Sequence, residues 1–285
     1  MFKVGMIGLG AMGEGMAKNL DKAGFLNTIY NRTTEKAQDF GHKLNIHISL
    51  SVEELAKNVD VICVCVSRDT DVFEVIHALT KTIRPNTIVI DMSTVSSHTA
   101  KQAATILAVY GVDFLDAPVS GGVEGANKGT LAMMIGGNLS VLEKVRPILE
   151  VMATRIVHIG DTGTGQATKA VNQIMAAGIN QAVTEALAFA KAQHLPMEKI
   201  IDVISNGAAG NWFLQNRGLA MTNGNYPAGF KVKLHHKDLE ICEEMGDNVG
   251  VSLSLTTQTR LDYELLIADG FGDCDISALY HLKVK

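Results

Sequence analysis

The chain has 285 residues, of which 47% are hydrophobic and 19% charged, a balance typical of a globular protein rather than a disordered one. A net charge of -5 argues against nucleic acid or an anionic membrane as the main partner, because both bind basic surfaces. The strongest apolar run covers only residues 61–66, far short of a membrane span, and the start of the chain lacks the features of a signal peptide. We therefore expect a soluble, cytoplasmic protein.

The cysteines and histidines do not form a metal or redox motif. The four cysteines are Cys63, Cys65, Cys242 and Cys274, and no two of them have the C-x-x-C spacing of zinc and redox sites. We interpret them as small buried side chains in a reducing compartment. His235 and His236 are neighbours on a predicted helix, so their rings point about 100° apart, and no third ligand is suitably spaced. We predict no metal.

The first half of the chain alternates between strand-like and helix-like segments. Strands are predicted at residues 2–7, 28–30, 61–66, 87–90, 112–115, 131–135 and 155–159. Helices are predicted at residues 12–22, 35–40, 51–58, 70–83 and 97–109, and the third of them opens on a capping box of Ser51 and Glu54. Strands separated by such helices indicate right-handed βαβ units and a parallel sheet.

No strand is predicted after Gly160. Residues 166–193 contain no proline and many Ala, Ile and Glu residues, which predicts one helix about 40 Å long. Further helices are predicted at residues 197–204, 234–248, 255–268 and 276–283. The sequence therefore predicts an α/β domain over residues 1–162 and an all-α domain over residues 163–285, joined by the long helix.

A glycine motif lies where the first strand meets the first helix. It consists of Gly8, Leu9, Gly10, Ala11, Met12 and Gly13. The first glycine permits a tight turn, the second lets the backbone approach a pyrophosphate, and the third allows the helix to pack closely. The helix N-terminus adds N–H groups and a partial positive charge. In this position the motif predicts a dinucleotide-binding domain of the Rossmann type.

The end of the second strand bears on the choice of dinucleotide. A carboxylate there would bind the 2′-hydroxyl of the adenosine ribose in NAD, but this chain has Asn31, Arg32 and Thr33. Arg32 can pair with a 2′-phosphate, and Asn31 and Thr33 can donate hydrogen bonds to it. The alternative is that Arg32 is a solvated cation that stacks on adenine. We favour NADP as the cofactor, with NAD as the alternative.

Three later segments carry candidate chemistry. Residues 116–122 (DAPVSGG) follow a predicted strand and present a hydroxyl and two glycine N–H groups that can hold a small carboxylate. Lys169 and Asn172 stand one turn apart on the long helix, and a lysine near a helix N-terminus opposes the macrodipole, which invites a local reason for it. Residues 230–238 place a lysine and an aspartate near the beginning of another helix.

Five stretches together resemble one family. They are residues 8–20 (GLGAMGEGMAKNL), 91–96 (DMSTVS), 116–122 (DAPVSGG), 163–173 (GTGQATKAVNQ) and 229–239 (GFKVKLHHKDL). In this order they resemble the β-hydroxyacid dehydrogenase family, which includes 3-hydroxyisobutyrate dehydrogenase, tartronate semialdehyde reductase, and the glyoxylate and succinic semialdehyde reductases. The resemblance covers the whole chain. It implies a Rossmann-type domain joined by a long helix to an all-α domain, and a homo-oligomer (dimer or tetramer) formed through the latter.

The resemblance also implies roles for individual residues. Lys169 matches the family's catalytic lysine. The positions that match substrate-binding or active-site residues are Ser120, Gly121, Gly122, Asn172, Phe230 and Asp238. The positions that match cofactor-binding residues outside the glycine motif are Val66, Ser67, Thr94 and Lys237. One departure is Gln173, where many members carry a second asparagine.

These inferences predict an NADP(H)-dependent oxidoreductase that reduces a short aldehyde- or keto-acid, of the glyoxylate or succinic semialdehyde type, to its hydroxy acid. Lys169 is the expected proton donor, and the small-molecule carboxylate is the expected partner. The alternative is an NAD-dependent 3-hydroxyisobutyrate dehydrogenase or a tartronate semialdehyde (2-hydroxy-3-oxopropionate) reductase. An imine reductase and a non-catalytic nucleotide-binding module are disfavoured, because proteins of both kinds typically lack the lysine.

Overall fold

The computed structural model describes residues 2–284. The strands are β1 (Val4–Ile7), β2 (Leu26–Tyr30), β3 (His47–Ile48), β4 (Val61–Val64), β5 (Ile88–Asp91), β6 (Asp113–Asp116), β7 (Val119–Ser120), β8 (Leu131–Gly137) and β9 (Ala153–Gly160). The helices are α1 (Ala11–Lys22), α2 (Thr34–Leu44), α3 (Val52–Lys57), α4 (Asp69–Leu79), α5 (Ser97–Ala108), α6 (Gly122–Lys128), α7 (Leu139–Leu149), α8 (Thr164–Ala192), α9 (Met197–Ser205), α10 (Trp212–Thr222), α11 (Val232–Asn248) and α12 (Ser254–Ala268), followed by a 3-10 helix (Ile276–Leu282). Two compact units divide the chain between Lys169 and Ala170, and α8 runs through the division.

The first unit is built on a sheet in the order β3-β2-β1-β4-β5-β6-β8-β7, with β9 paired to β8. The strands from β3 to β6 are parallel and follow the 3-2-1-4-5-6 order of the Rossmann fold. The predicted α/β fold with a parallel sheet is confirmed from β3 to β6, and beyond β6 the strand β8 runs antiparallel to both β6 and β7. Strand β9 pairs in parallel with β8, so both run against β1–β6. Mixed sheets with antiparallel strands on one side are common in doubly wound folds.

Helices bury both faces of this sheet. In β4, Val61 and Cys63 belong to the apolar core that α1 and α7 share, whereas Ile62 and Val64 belong to the core formed with α3, α4 and α5. Side chains alternate between the faces of a strand, so a strand buried on both faces reads as one continuous apolar run. This explains why residues 61–66 are the most apolar stretch of the chain, and why burial raises the pKa of the Cys63 thiol to about 12.

The second unit consists of helices around two apolar clusters. Asn180 of α8 is fully buried, and its Nδ2 donates to the carbonyl oxygen of Ile276 at 2.8 Å and to the hydroxyl of Tyr263 at 3.2 Å. A buried amide thereby joins α8, α12 and the 3-10 helix. The final helix, predicted at residues 276–283, is a 3-10 helix over Ile276–Leu282. Within residues 2–284, no helix combines the length and apolar character needed to cross a bilayer.

Candidate active site

The candidate residues of the first unit gather at one edge of its sheet. The glycine motif follows β1, residues 31–33 follow β2, residues 66–67 follow β4, Thr94 follows β5, and residues 116–122 begin at the end of β6. Parallel strands place their carboxyl ends at the same edge, and the strand order reverses between β1 and β4. Open α/β sheets bind ligands outside this edge, at the point of reversal.

The three glycines of the motif serve different purposes. Gly8 has a φ of +93°, and a Cβ added there would collide with the carbonyl oxygen of Cys65, just as one added at Gly13 would collide with that of Gly8. Gly10 is the N-cap of α1. Among the described residues, no atom lies within 4 Å of a Cβ added at Gly10, and no side chain caps α1. The helix end therefore offers open space and N–H groups, and it fits a pyrophosphate.

Asn31 ties the end of β2 to the glycine motif. Its Oδ1 accepts a hydrogen bond from the N–H of Leu9 at 2.9 Å, and its Nδ2 donates to the carbonyl oxygen of Thr33 at 3.0 Å. The amide of Asn31 thus shapes this turn, and the second hydrogen of its Nδ2 is the donor for the predicted phosphate contact. Thr33 is exposed and precedes α2.

Arg32 pairs with two carboxylates of α4. Its Nη1 lies 2.9 Å from Asp71 Oδ1 and 3.7 Å from Glu74 Oε2. The side chain of Arg32 is 75% exposed, so these ion pairs contribute little to stability. A 2′-phosphate can therefore recruit the guanidinium from Asp71 at a small free-energy cost, in return for charge-assisted hydrogen bonds.

The loops after β4 and β5 are bound to each other. The N–H of Val66 donates to Ser93 Oγ at 2.9 Å, and the N–H of Cys65 donates to the carbonyl oxygen of Ile7 at 2.9 Å. Ser67 is exposed, and Thr94, next to Ser93, is half-buried. These bonds tie the loop of residues 66 and 67 to the end of β1 and to the loop that carries Thr94.

Asp91 and Asp116 end the neighbouring strands β5 and β6 as register partners. Asp91 is fully buried; its Oδ1 accepts from the N–H of Ser93 at 3.0 Å, while its Oδ2 has no hydrogen-bond partner among the described residues. Burial raises the pKa of Asp91 to about 6, and the carboxylates of Asp116 and Asp69 add to the increase. A largely uncompensated carboxyl group therefore lies beneath the loop that carries Thr94.

Asp116 binds the start of the helix that carries Lys169. Its Oδ1 accepts from the N–H of Gly163 at 2.7 Å, and its Oδ2 accepts from the N–H of Gln166 at 2.9 Å. Gly165 packs so closely that an added Cβ would lie 2.8 Å from Asp116 Oδ2. Burial raises the pKa of Asp116, and these backbone bonds oppose the increase. The carboxylate supplies the acceptor that a helix N-terminus requires, and Lys169 follows one turn later, with 7% of its surface exposed.

Residues 120–122 belong to the same segment as Asp116. Ser120 ends β7, and Gly121 and Gly122 have φ values of +130° and +62°. Only glycine adopts such a backbone without strain, and a Cβ at Gly121 would also press within 3.2 Å of Leu131 Cδ2. One short segment thus carries the candidate carboxylate site and the anchor of the Lys169 helix.

In the second unit, three predicted site residues are linked through Gln173. Asn172 Nδ2 donates to Gln173 Oε1 at 2.7 Å, and Gln173 Nε2 donates to Asp238 Oδ2 at 2.6 Å. Lys237 Nζ pairs with Asp238 Oδ1 at 2.9 Å. The longer side chain that replaces the family's second asparagine therefore bridges α8 and α11.

His235 braces this cluster. Its Nε2 lies 3.2 Å from the carbonyl oxygen of Gln173, its Nδ1 lies 3.1 Å from the hydroxyl of Tyr263, and its ring centroid lies 5.1 Å from that of Phe230. Both ring nitrogens thus contact protein atoms, which indicates a structural role. In the part of the chain that the structure describes, no group of three or more His, Cys, Asp or Glu side chains could hold a metal ion.

Sequence reasoning gave no structural role to Asp116 or Gln166 and considered His235 only as a metal ligand, although each lies inside a quoted motif. All three are buried polar residues, and such residues need hydrogen-bond partners. A carboxylate directly after the predicted strand at residues 112–115 was a usable signal. The partner was not predictable, because Asp116 and Gln166 lie 50 positions apart.

The fold and the open helix end define an NAD(P)-binding domain followed by a helical domain, and two family models match the chain in the same order. The model of the NAD binding domain of 6-phosphogluconate dehydrogenase matches residues 3–160. The model described as NAD-binding of NADP-dependent 3-hydroxyisobutyrate dehydrogenase matches residues 163–283.

Individual proteins agree with these models. The chain is 36% identical to an uncharacterized oxidoreductase of Bacillus subtilis (strain 168) over 99% of both proteins, and 33% identical to the 2-hydroxy-3-oxopropionate reductase of Escherichia coli (strain K12) over 97% of this chain and 95% of that one. The solved structure of Mycobacterium tuberculosis 3-hydroxyisobutyrate dehydrogenase with L-serine has a TM-score of 0.91, with 30% identity over 99% of each chain. The chain belongs to the β-hydroxyacid dehydrogenase family and is an NAD(P)-dependent oxidoreductase.

Proposed function

We propose that the protein reduces a short aldehyde- or keto-acid of the glyoxylate or succinic semialdehyde type to its hydroxy acid, with NADPH as cofactor and Lys169 as proton donor. The observation that carries the proposal is the buried Lys169 on a helix anchored by the segment that also holds residues 120–122. The bound cofactor supplies the hydride. A positively charged lysine near a helix N-terminus opposes the macrodipole, and a catalytic task accounts for its position.

The protein's own residues bind the substrate and move the proton. The Ser120 hydroxyl and the N–H groups of Gly121 and Gly122 hold the substrate carboxylate. This leaves the carbonyl group free to accept a proton on its oxygen from the ammonium of Lys169. Asn172, one turn further along α8, orients Lys169 or the substrate oxygen.

The preference for NADPH rests on the end of β2. The glycine motif binds the pyrophosphate, and Arg32 and Thr33 contact the 2′-phosphate without an acidic residue at the position where NAD-dependent domains carry one. Val66, Ser67, Thr94 and Lys237 complete the cofactor contacts in this proposal.

The second candidate is the reduction of 2-hydroxy-3-oxopropionate or the NAD-dependent oxidation of 3-hydroxyisobutyrate, which the names of the similar proteins support. All of these compounds are short carboxylic acids that residues 120–122 can hold in the same way. In this proposal residues 1–162 bind most of the cofactor and also supply the carboxylate site at residues 120–122, whereas residues 163–285 supply Lys169, the remaining substrate contacts and the surface for oligomerisation.

A homo-oligomer formed through the second unit is also part of the proposal. Several of its helices expose large apolar side chains over more than half of their surface: Phe189, Val203, Trp212 and Leu265. Exposed apolar surface of this extent is typical of an interface. Sedimentation of the purified protein tests the number of subunits.

A substrate panel tests the proposed activity. Glyoxylate, succinic semialdehyde, 2-hydroxy-3-oxopropionate and 3-hydroxyisobutyrate are each assayed with the phosphorylated and unphosphorylated cofactors. Lys169→Ala should lower kcat by about 10² to 10⁴ while the Kd for NADPH changes little. Lys191→Ala, a lysine of the same helix, is the matched control and should leave kcat unchanged. Turnover of none of the acids, or near-normal kcat in Lys169→Ala, contradicts the proposal.

A further inference from the structure

Gln166 binds the backbone on both sides of Thr94. It lies on α8 three residues before Lys169, and only 1% of its surface is exposed. Its Nε2 donates to the carbonyl oxygen of Ser93 at 2.8 Å, and its Oε1 accepts from the N–H of Val95 at 3.2 Å. One amide therefore connects the helix of the proposed proton donor to the loop of Thr94, which by the family resemblance matches the threonine near the nicotinamide ribose of the cofactor.

The same turn of α8 is also hydrogen-bonded to the end of strand β6. The N–H of Gln166 donates to Asp116 Oδ2 at 2.9 Å, so the residue is bound through its main chain to the end of β6 and through its side chain to the loop after β5. Helix α8 thus cannot slide or rotate at this turn without breaking buried hydrogen bonds. Each broken bond leaves a buried donor or acceptor unpaired.

The chemistry of the connection calls for an amide. The Ser93 carbonyl oxygen requires a donor and the Val95 N–H requires an acceptor, and a glutamine side chain supplies one of each on a single planar group. A methionine of similar length fills the space but satisfies neither group. A carboxylate satisfies only Val95 and faces the Ser93 carbonyl with a negative charge.

We infer that Gln166 is a positioning residue, which sets the distance and direction from Lys169 to the Thr94 loop and hence to the reacting centre. The inference rests on the proposed role of Lys169 as proton donor. Proton and hydride transfer both require reacting atoms within about 3 to 3.5 Å, and a displacement of about 1 Å costs on the order of a hundredfold in rate. Loss of the Gln166 amide therefore slows the chemical step far more than it weakens ligand binding.

The test compares Gln166→Met with Gln181→Met. Gln181 also lies on α8, is 6% exposed, and donates from Nε2 to Asp262 Oδ2 at 2.8 Å, so its substitution removes a similar buried amide away from the proposed site. Both variants should lose a similar amount of thermal stability. Gln166→Met should lower kcat by about ten- to a hundredfold, with KM and the Kd for NADPH within threefold of the parent. Gln181→Met should retain kcat.

The kinetic isotope effect identifies the step that is slowed. With NADPH deuterated at the transferred position, the isotope effect on kcat should increase in Gln166→Met and not in Gln181→Met, because hydride and proton transfer become rate-limiting. An unchanged kcat in Gln166→Met, an equal loss in both variants, or a loss confined to KM or Kd overturns the inference. A Lys169→Ala variant is measured alongside: if it retains turnover, the proposed function fails, whereas a dead Lys169→Ala beside a fully active Gln166→Met refutes the positioning role alone.

Discussion

Two helices of the first unit begin at the same edge of the sheet, and they differ in what binds the N–H groups at their N-termini. Helix α1 starts at Gly10, which is exposed and has open space where a side chain would stand. Helix α8 starts against Asp116, whose two buried carboxylate oxygens accept hydrogen bonds from Gly163 and Gln166. Both helix ends have N–H groups without partners inside the helix and a partial positive charge, and both features attract an anion.

The difference shows how one interaction serves two purposes. At α8 the chain supplies the anion from a residue about 50 positions away, and the helix that carries Lys169 is held against the sheet. At α1 no side chain of residues 2–284 occupies this position, and we propose that the phosphates of the cofactor bind there. An internal carboxylate would compete with those phosphates. A helix end that is occupied by a side chain of the protein is therefore not available to an anionic ligand.

The largest effect is expected from removing the internal anion. Asp116→Ala leaves two buried N–H groups without acceptors, which should lower the free energy of unfolding by about 4 kcal/mol, at about 1–3 kcal/mol for each group. Asp116→Asn keeps one acceptor oxygen and should lose about half as much. Urea titration of the three proteins measures the difference. A loss below about 1 kcal/mol in the alanine variant would show that water replaces the carboxylate.

Asp91 is a useful contrast to Asp116, because its carboxyl group is also buried but, within the described part of the chain, accepts no hydrogen bond from the start of a helix. Its pKa of about 6, against an ordinary 3.8, means that the folded state holds the proton more tightly than the unfolded chain does. The stabilisation is complete below the ordinary pKa and is lost as the pH rises from about 4 to about 6, by up to about 3 kcal/mol.

Asp91→Asn should remove this dependence on pH. The free energy of unfolding of the parent minus that of the variant should decrease by up to about 3 kcal/mol between pH 4 and pH 7, as measured by denaturant titration at each pH. A difference that stays constant across this range would mean that Asp91 titrates alike in the folded and unfolded states.

Gly10→Asp would make α1 resemble α8. The N-cap has a φ of -63° and a ψ of -174°, which an aspartate adopts readily, so the free energy of unfolding should rise by a few tenths of a kcal/mol. The added carboxylate should raise the Kd for NADPH about a hundredfold (~2.7 kcal/mol) by occupying and repelling the pyrophosphate position. Fluorescence titration and thermal denaturation measure the two effects. Gly10→Asn adds the same volume without charge, and an equal loss in this control would show that volume rather than charge is responsible.

The smallest effect is expected at Arg32, because its guanidinium must first leave Asp71. Arg32→Ala should weaken NADPH binding about tenfold (~1.4 kcal/mol) and leave NADH binding nearly unchanged. Asp71→Asn should act in the opposite direction, by a few-fold, since it removes the competing carboxylate. Isothermal titration with both cofactors measures these changes. Equal weakening of both cofactors in Arg32→Ala would place the guanidinium near the part that they share.

Local features of the fold were the most predictable. Ser51 caps α3 as expected, with its Oγ accepting from the N–H of Glu54 at 3.1 Å. In a standard capping box the Glu54 carboxylate would accept a hydrogen bond from the N–H of Ser51. Here it accepts from the N–H of Leu50, one residue earlier. Helices α6, α7 and α10 were not predicted. In α7 the obstacle was Pro147, which the helix nevertheless contains and which sequence rules count strongly against a helix interior.

Periodicity and turn chemistry act over a few neighbouring residues, so the alternation of strands and helices and the glycine motif after β1 could be predicted from the sequence. The site roles of Lys169 and residues 120–122 rest on the resemblance to the family and stay predictions. Only the tertiary structure decided that β8 runs antiparallel to β6, that Asp116 anchors α8, and that Gln166 and Gln173 connect distant loops and helices. The hydrogen bonds among them join residues 47 to 73 positions apart. A buried polar side chain requires a hydrogen-bond partner, but the identity of that partner depends on how the sheet and the helices pack.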